Sequence, residues 1–302
     1  MSAKKQLIVI GGPTSSGKTK LAIQLAQYFQ TEILSCDSRQ FFREMNIGTA
    51  KPNERELAAA PHHFINSLSI KDTYSVGKYE SDSLQLLHQL FERHDYAILV
   101  GGSGLYIQAV CEGLDHFPDV PIELRASLEK SYQEKGLVYL QEILKSIDPI
   151  YYEAVDIQNP RRLMRAIAVY RASGQSFSSF RAKEKIPRSF QPIYILLEWN
   201  RAELYERINL RVDKMLAAGL EEEVRSLLPY QNLTALQTLG YQEFFDYFNE
   251  KIDRDEAIRL VKRNTRRYAK RQMTWFRRSE QWKPFLPHQL AAIIAYIEKN
   301  NC

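Results

Sequence analysis

Cysteine is scarce in this chain: Cys36, Cys111 and Cys302 are the only three in 302 residues, odd in number and far apart. That excludes a disulfide framework and a zinc cluster, and leaves reduced thiols. Long apolar runs are missing as well. Leu7 to Ile10 and Ala97 to Val100 fall far short of the roughly 20 residues a membrane helix needs. The N-terminus passes from two lysines straight into a short strand, without the apolar core of a secretory signal. A cytoplasmic protein with no membrane association is expected. The six histidines, His62 and His63 among them, show no metal-ligand spacing with cysteine or with one another. Internal repeats and low-complexity tracts are absent too. What remains is an ordinary folding composition, 44% hydrophobic, enough for one large core or two domains. The net charge of +5 admits an anionic partner but does not name one.

Strand and helix patterns alternate in the first third. Gln6 to Gly12 is β-rich and ends in glycines; Leu21, Ala22, Leu25, Ala26 and Phe29 then recur at helical spacing. Thr31 to Cys36 reads as a second strand, Phe64 to Leu68 as a third, Ser75 to His94 as a helix and Tyr96 to Gly101 as another strand. Such alternation implies a parallel sheet covered by helices on both faces. From about Gly113 the pattern turns helical, and Pro192 to Trp199 is an apolar run of strand length where the sheet resumes. Everything after it reads as helix. The expected organisation is an α/β core of residues 1–112 and 199–302 with a helical C-terminal part, and a helical insertion domain of residues 113–198.

Gly12-Pro13-Thr14-Ser15-Ser16-Gly17-Lys18-Thr19 fits G-x-x-x-x-G-K-T and lies between an apolar strand and an amphipathic helix. The glycines let the backbone wrap a diphosphate, the helix-start amides point inward, Lys18 adds positive charge and the Thr19 hydroxyl can ligate Mg²⁺. A P-loop NTPase-like fold follows. Most such loops hold ATP or GTP, yet the strand Ala97 to Val100 runs into Gly101-Gly102-Ser103-Gly104 where a Mg²⁺-coordinating Asp is expected. Strand two ends in Cys36-Asp37-Ser38-Arg39-Gln40, which sets a carboxylate at the sheet edge where open α/β sheets build their sites. By itself Asp37 reads equally as a catalyst or as a cap of a following helix.

Five segments in order resemble the tRNA dimethylallyltransferase family. The P-loop is similar to its GPTASGKT, Asp37-Ser38-Arg39-Gln40 to its DSRQ and Gly101-Gly102-Ser103-Gly104-Leu105-Tyr106 to its GGTGLY. Asn159-Pro160-Arg161-Arg162 is similar to its NPRR and Lys270-Arg271-Gln272-Met273-Thr274-Trp275-Phe276-Arg277 to its KRQxTWFR. Ser103 stands where the family has threonine, and Ser16 where its P-loop has alanine. The resemblance implies transfer of a dimethylallyl group from dimethylallyl diphosphate to N6 of the adenine just 3′ of the anticodon, in tRNAs reading codons that begin with U. It also implies that Mg²⁺ is used, that Asp37 is the general base, and that Arg125 and Ser103 assist. Gln158, Asn159, Pro160, Arg161 and Arg162 are carried over as tRNA contacts. A carboxylate that receives the proton of a weakly nucleophilic amine, and cations around a departing diphosphate, suit that chemistry.

Between Arg259 and Arg278 there are nine Lys or Arg residues and no acid. Arg263, Arg266, Arg267, Lys270 and Arg271 share one half of a helix with Arg259 and Lys262, while Ile258, Val261, Tyr268 and Trp275 fall on the other. A cationic face of one sign points to a nucleic-acid backbone. Asn159-Pro160 begins another helix whose first turns carry Arg161, Arg162 and Arg165; cations there oppose the helix dipole, so an anion contact is their expected role. With no duplex-reading motif, the expected acceptor is a flipped base of a splayed anticodon loop, which Gln40 is placed to hydrogen-bond. A monomer is expected. Two other readings stay open: a small-molecule or nucleotide kinase sharing the P-loop, and a nucleotide-gated RNA-binding protein without transfer chemistry.

Overall fold

The structure, a computed structural model, describes residues 5–181 and 187–300. Cys302 and residues 182–186 of the expected insertion lie outside that range. In chain order the elements are β1 (Gln6–Gly11), α1 (Lys18–Tyr28), β2 (Ile33–Ser35), α2 (Glu54–Ala59), β3 (His62–His63), α3 (Val76–Arg93), β4 (Tyr96–Val100), α4 (Gly104–Glu112), α5 (Ile122–Ile147), α6 (Pro149–Ala154), α7 (Pro160–Ser173), β5 (Gln191–Leu197), α8 (Arg201–Ala217), α9 (Leu220–Ser226), α10 (Gln242–Phe248), α11 (Arg254–Phe276), β6 (Lys283–Phe285) and α12 (Leu290–Lys299).

The six strands form one parallel sheet in the order β3-β2-β4-β1-β5-β6. Its two faces follow the strand period of two. Leu7, Val9, Leu99 and Leu196 face α3 and α4 through Tyr79, Leu87, Leu90, Ile107 and Val110. Ile8, Ile10, Ile98 and Ile195 face α1 and α12 through Leu21, Leu25, Ile293 and Ile297. Each of these fully buried aliphatic side chains contributes about 1.5–3 kcal/mol. Covering both faces explains why β1 and β4 read as continuous apolar runs instead of alternating ones.

Three expectations are corrected. The third strand is His62–His63 rather than Phe64 to Leu68, because Phe64 and Asn66 adopt left-handed φ of 61° and 55° that break an extended run; Leu68 makes only an isolated bridge with Phe42. The segment after β5 is not wholly helical: Lys283–Phe285 adds an edge strand beside β5, where its central proline is tolerated. The chain divides into two compact units, residues 113–187 and the remainder. The insertion therefore ends at 187 and not 198, since Gln191–Leu197 pairs with β1 from Gln6↔Gln191 to Gly11↔Leu196.

The unit of residues 113–187 has its own core, in which Leu128, Leu140 and Leu144 of α5 meet Leu163, Ala166 and Ile167 of α7. Gly136 interrupts α5 with φ 76° and ψ −172°. No helix among the described residues is long and apolar enough to cross a membrane.

Candidate active site

Because the sheet is parallel, the loops after β1, β2, β4 and β5 all leave from one edge. Those after β1, β2 and β4 line a cavity of about 900 Å³ together with α8, α11 and Gln237 to Gly240, and the loop after β5 backs the first of them through Trp199. Of the P-loop, Thr14 to Thr19 line the cavity. Ser15 is held at φ 64°, a left-handed conformation that costs a residue with a side chain roughly 1–2 kcal/mol, and side chains remote in sequence hold it there. Trp199 Nε1 donates to the Ser16 carbonyl at 2.9 Å. Arg207 Nε donates to the Ser15 carbonyl at 3.0 Å, with its guanidinium 4.3 Å above the Trp199 ring. The Ser15 and Ser16 hydroxyl oxygens are buried and unpartnered, a cost of about 1–3 kcal/mol each that oxygens of a bound phosphate would relieve.

Lys18 donates to the Pro13 carbonyl at 2.7 Å. Burial, with Arg211 nearby, pushes its ammonium down to about 8, against the opposing pull of Asp37. Arg211 is itself lowered by burial, and Asp37 counteracts that. Lys18, Asp37 and Arg211 therefore share one electrostatic environment and line the same cavity.

Asp37 follows β2. Its Oδ1 accepts from Arg39 N at 3.0 Å, an Asx turn that holds the carboxylate, and the residues after it form turns instead of a helix. The cap reading thus survives only as this turn, and Asp37 lines the cavity. Gln40 is engaged with its own loop, accepting from Ser35 Oγ at 3.3 Å and donating to the carbonyls of Thr49 and Ala50 at 3.2 and 3.3 Å. Arg39 donates to the carbonyls of Thr234 and Ala235 at 3.2 and 3.0 Å. Both side chains thus brace the cavity wall, while Ser38 lines it.

The glycines after β4 answer to close packing. A Cβ on Gly102 would lie 2.1 Å from Gln272 Nε2, and one on Gly104 would lie 2.3 Å from the Trp275 ring. Ser103 begins the turn into α4 and neighbours the phenol of Tyr268, which burial and then Asp37 raise to about 12. Tyr268 lines the cavity, contrary to its expected place on the packing face of α11.

Along α11 the cationic face is partly neutralised. Lys262 pairs with Asp213 at 2.5 Å and Arg259 with Glu256 at 2.5 Å. Arg266 bonds Asn209 at 2.6 Å, and Arg263 bonds Asn264 at 3.2 Å. Among the described residues no acid pairs with Arg263, Arg266, Arg267, Lys270 or Arg271; the last three are exposed, and Arg271 lines the cavity. In the unit of residues 113–187, Arg125 is exposed on α5, and burial together with Arg125 lowers Arg165. Asn159 caps α7 by accepting from Arg162 N at 3.3 Å, with Pro160 at its first position. Gln158, Arg161 and Arg162 are exposed there.

Four residues that motif matching gave no role prove central: Trp199, Arg207, Arg211 and Gln272. Only the spacing of Arg207 and Arg211, four apart on one helix, could have hinted at a shared target.

The model of the IPP transferase family matches residues 40–279 of this chain. The tRNA dimethylallyltransferase of Christiangramia forsetii is 51% identical over 279 residues, 92% of each chain, and that of Cytophaga hutchinsonii is 47% identical over 97% of each. Among solved structures, the full-length tRNA isopentenylpyrophosphate transferase of Bacillus halodurans superposes with TM-score 0.74 at 33% identity, covering 99% of this chain and 97% of that one. A eukaryotic dimethylallyltransferase acting on tRNA gives TM-score 0.76 at 27% identity, over 90% of this chain and 69% of that one.

Proposed function

Since this chain belongs to the IPP transferase family, we propose that it transfers the dimethylallyl group of dimethylallyl diphosphate to N6 of the adenine 3′-adjacent to the anticodon of a tRNA. The observation that carries the reading is the convergence of Lys18 and Asp37 on one cavity. One is suited to a diphosphate, the other to the proton of an amine.

The amides at the start of α1, Lys18 and Arg211 hold the diphosphate, and the Ser15 and Ser16 hydroxyls meet its oxygens. A bond forms between the adenine N6 and C1 of the dimethylallyl group as the C1–O bond breaks, with the electron pair leaving on diphosphate. Asp37 takes the N6 proton through the oxygen its turn leaves free. The cations stabilise charge that grows on the leaving group, where a dry, fixed site gains most. Arg125 and Ser103 are proposed to assist as in the family.

Mg²⁺ fits this site as a shared ion. Among the described residues no three His, Cys, Asp or Glu side chains gather into a metal cage, whereas the Thr19 hydroxyl is a hard oxygen donor in the cavity of the kind Mg²⁺ combines with phosphate oxygens and waters. There the ion would neutralise charge on the diphosphate. The tRNA backbone meets Arg267, Lys270 and Arg271 on α11 together with Arg263 and Arg266, and the Gln158 to Arg162 segment, with Gln158, Arg161 and Arg162 exposed, offers a second contact. The protein acts as a cytoplasmic monomer.

The test is direct. Purified protein, unmodified tRNA, Mg²⁺ and labelled dimethylallyl diphosphate should yield labelled tRNA and diphosphate, and Asp37→Ala should not. Wild-type protein that leaves the tRNA unlabelled overturns the proposal; ATP consumed with a small acceptor would indicate a kinase instead.

A further inference from the structure

Gln272 lies at the junction of the loops after β1 and β4, at the edge of the cavity it helps to line, with both ends of its side-chain amide engaged by those loops. It is 6% exposed on α11. Its Oε1 accepts from the P-loop amide Thr14 N at 2.9 Å, and its Nε2 donates to the Gly102 carbonyl at 3.0 Å. The amide orientation is fixed by chemistry: turned over, it would set N–H against N–H and oxygen against oxygen. Gly102 carries no side chain because the Gln272 amide occupies that space. The Gly12 carbonyl lies 3.5 Å from the same point, so the loops after β1 and β4 adjoin here.

We infer that Gln272 is the positioning residue that sets the P-loop in register with the loop after β4, and so fixes the donor's C1 relative to the acceptor amine. The inference rests on the transfer reading above. Thr14 N is consumed by Gln272 and belongs to no anion cradle, so its loss disturbs alignment more than diphosphate affinity. Misplacement of reacting groups by about 1 Å costs up to roughly 10²-fold in rate.

Two variants test this, with steady-state transfer kinetics, calorimetric binding of inorganic diphosphate, and amide hydrogen exchange at Thr14. Gln272→Met keeps the volume and removes both bonds; it should lower kcat by about 10- to 100-fold while donor KM and diphosphate affinity stay within about threefold. Thr14 N should exchange faster. Gln272→Glu keeps the acceptor for Thr14 N but sets a carboxylate oxygen against the Gly102 carbonyl, so Thr14 exchange should stay slow while kcat still falls by at least about 10-fold as the two loops are pushed out of register. Should the Met variant not fold, the Glu variant decides through its kcat and KM. Unchanged kcat in both variants overturns the inference, as does a loss carried wholly by weaker diphosphate binding. Wild-type protein that binds diphosphate yet transfers nothing to tRNA marks failure of the transfer reading itself, and the inference falls with it.

Discussion

Lys18 makes donor binding pH-dependent in a predictable direction. Burial and Arg211 lower its ammonium from 10.5 to about 8, so the free protein holds that proton at a cost of at most about 3 kcal/mol, at 1.36 kcal/mol per unit. A phosphate oxygen about 4 Å away returns roughly 4 kcal/mol at an effective dielectric constant of 20. Attraction thus outweighs the cost, and the bound complex recovers an ordinary lysine. Below pH 8 the site is already cationic and binding moves no proton. Above pH 8 the free protein has lost the proton and must recapture it as the donor binds. The affinity for dimethylallyl diphosphate should therefore be roughly 30-fold weaker at pH 9.5 than at pH 7, about 2 kcal/mol. Calorimetry in two buffers of different ionisation enthalpy should show uptake of about half a proton by Lys18 at pH 8. Lys51 lines the same cavity and is also lowered to about 8, chiefly by burial; Lys18→Arg, with its permanent charge, removes the Lys18 component and separates the two. An affinity flat within about twofold from pH 7 to 9.5 in the wild type, without proton uptake, would refute the reasoning.

Asp37→Asn keeps the turn to Arg39 N but cannot accept a proton; kcat should fall by about 10²- to 10⁴-fold with diphosphate binding retained, as measured by transfer assay and calorimetry. Glu223 accepts from the amides of Asn46, Ile47 and Gly48 and from the Tyr241 hydroxyl at 2.7–3.0 Å. Glu223→Ala should destabilise the protein by about 3 kcal/mol, read from urea unfolding. Replacing Arg267 and Lys270 together by alanine should weaken tRNA binding across sequences and flatten the slope of log affinity against log salt by about two, a result absent if α11 meets no phosphate. Trp199→Phe removes the donor to Ser16 O and should raise donor KM by about two- to tenfold, with kcat little changed.

What could be read from the sequence was local. The P-loop announces itself because one strand, one loop and one helix suffice to make it, and β1, β4 and β5 announce themselves because strands buried on both faces are apolar throughout. β3 and β6 escaped because two or three residues carry no periodicity, and the insertion boundary moved because pairing with β1 claims β5 for the sheet. The braces were illegible for another reason. Gln272 bonds Thr14 across 258 residues, Arg207 bonds Ser15 across 192 and Trp199 bonds Ser16 across 183. No window of sequence contains both partners, and although Gln272 lies in the segment that resembles KRQxTWFR, that resemblance does not say which loops its amide joins.

Those braces also explain how this P-loop differs in construction from one built to hold a nucleotide with a Walker B acid. Here the strand beside β1 ends in glycines, so that α11 can approach until Gln272 touches Gly102 and Trp275 covers Gly104. The approach carries Tyr268 and Arg271 to the cavity wall, on the same helix whose outer face exposes Arg267 and Lys270. An Asp side chain at Gly102 would collide with Gln272 and hold α11 away. The missing acid and the close cationic helix are thus one structural choice. It gives up a carboxylate beside the P-loop and gains a wall, α11, whose inner residues Tyr268 and Arg271 line the cavity while Arg267 and Lys270 on the same helix are exposed.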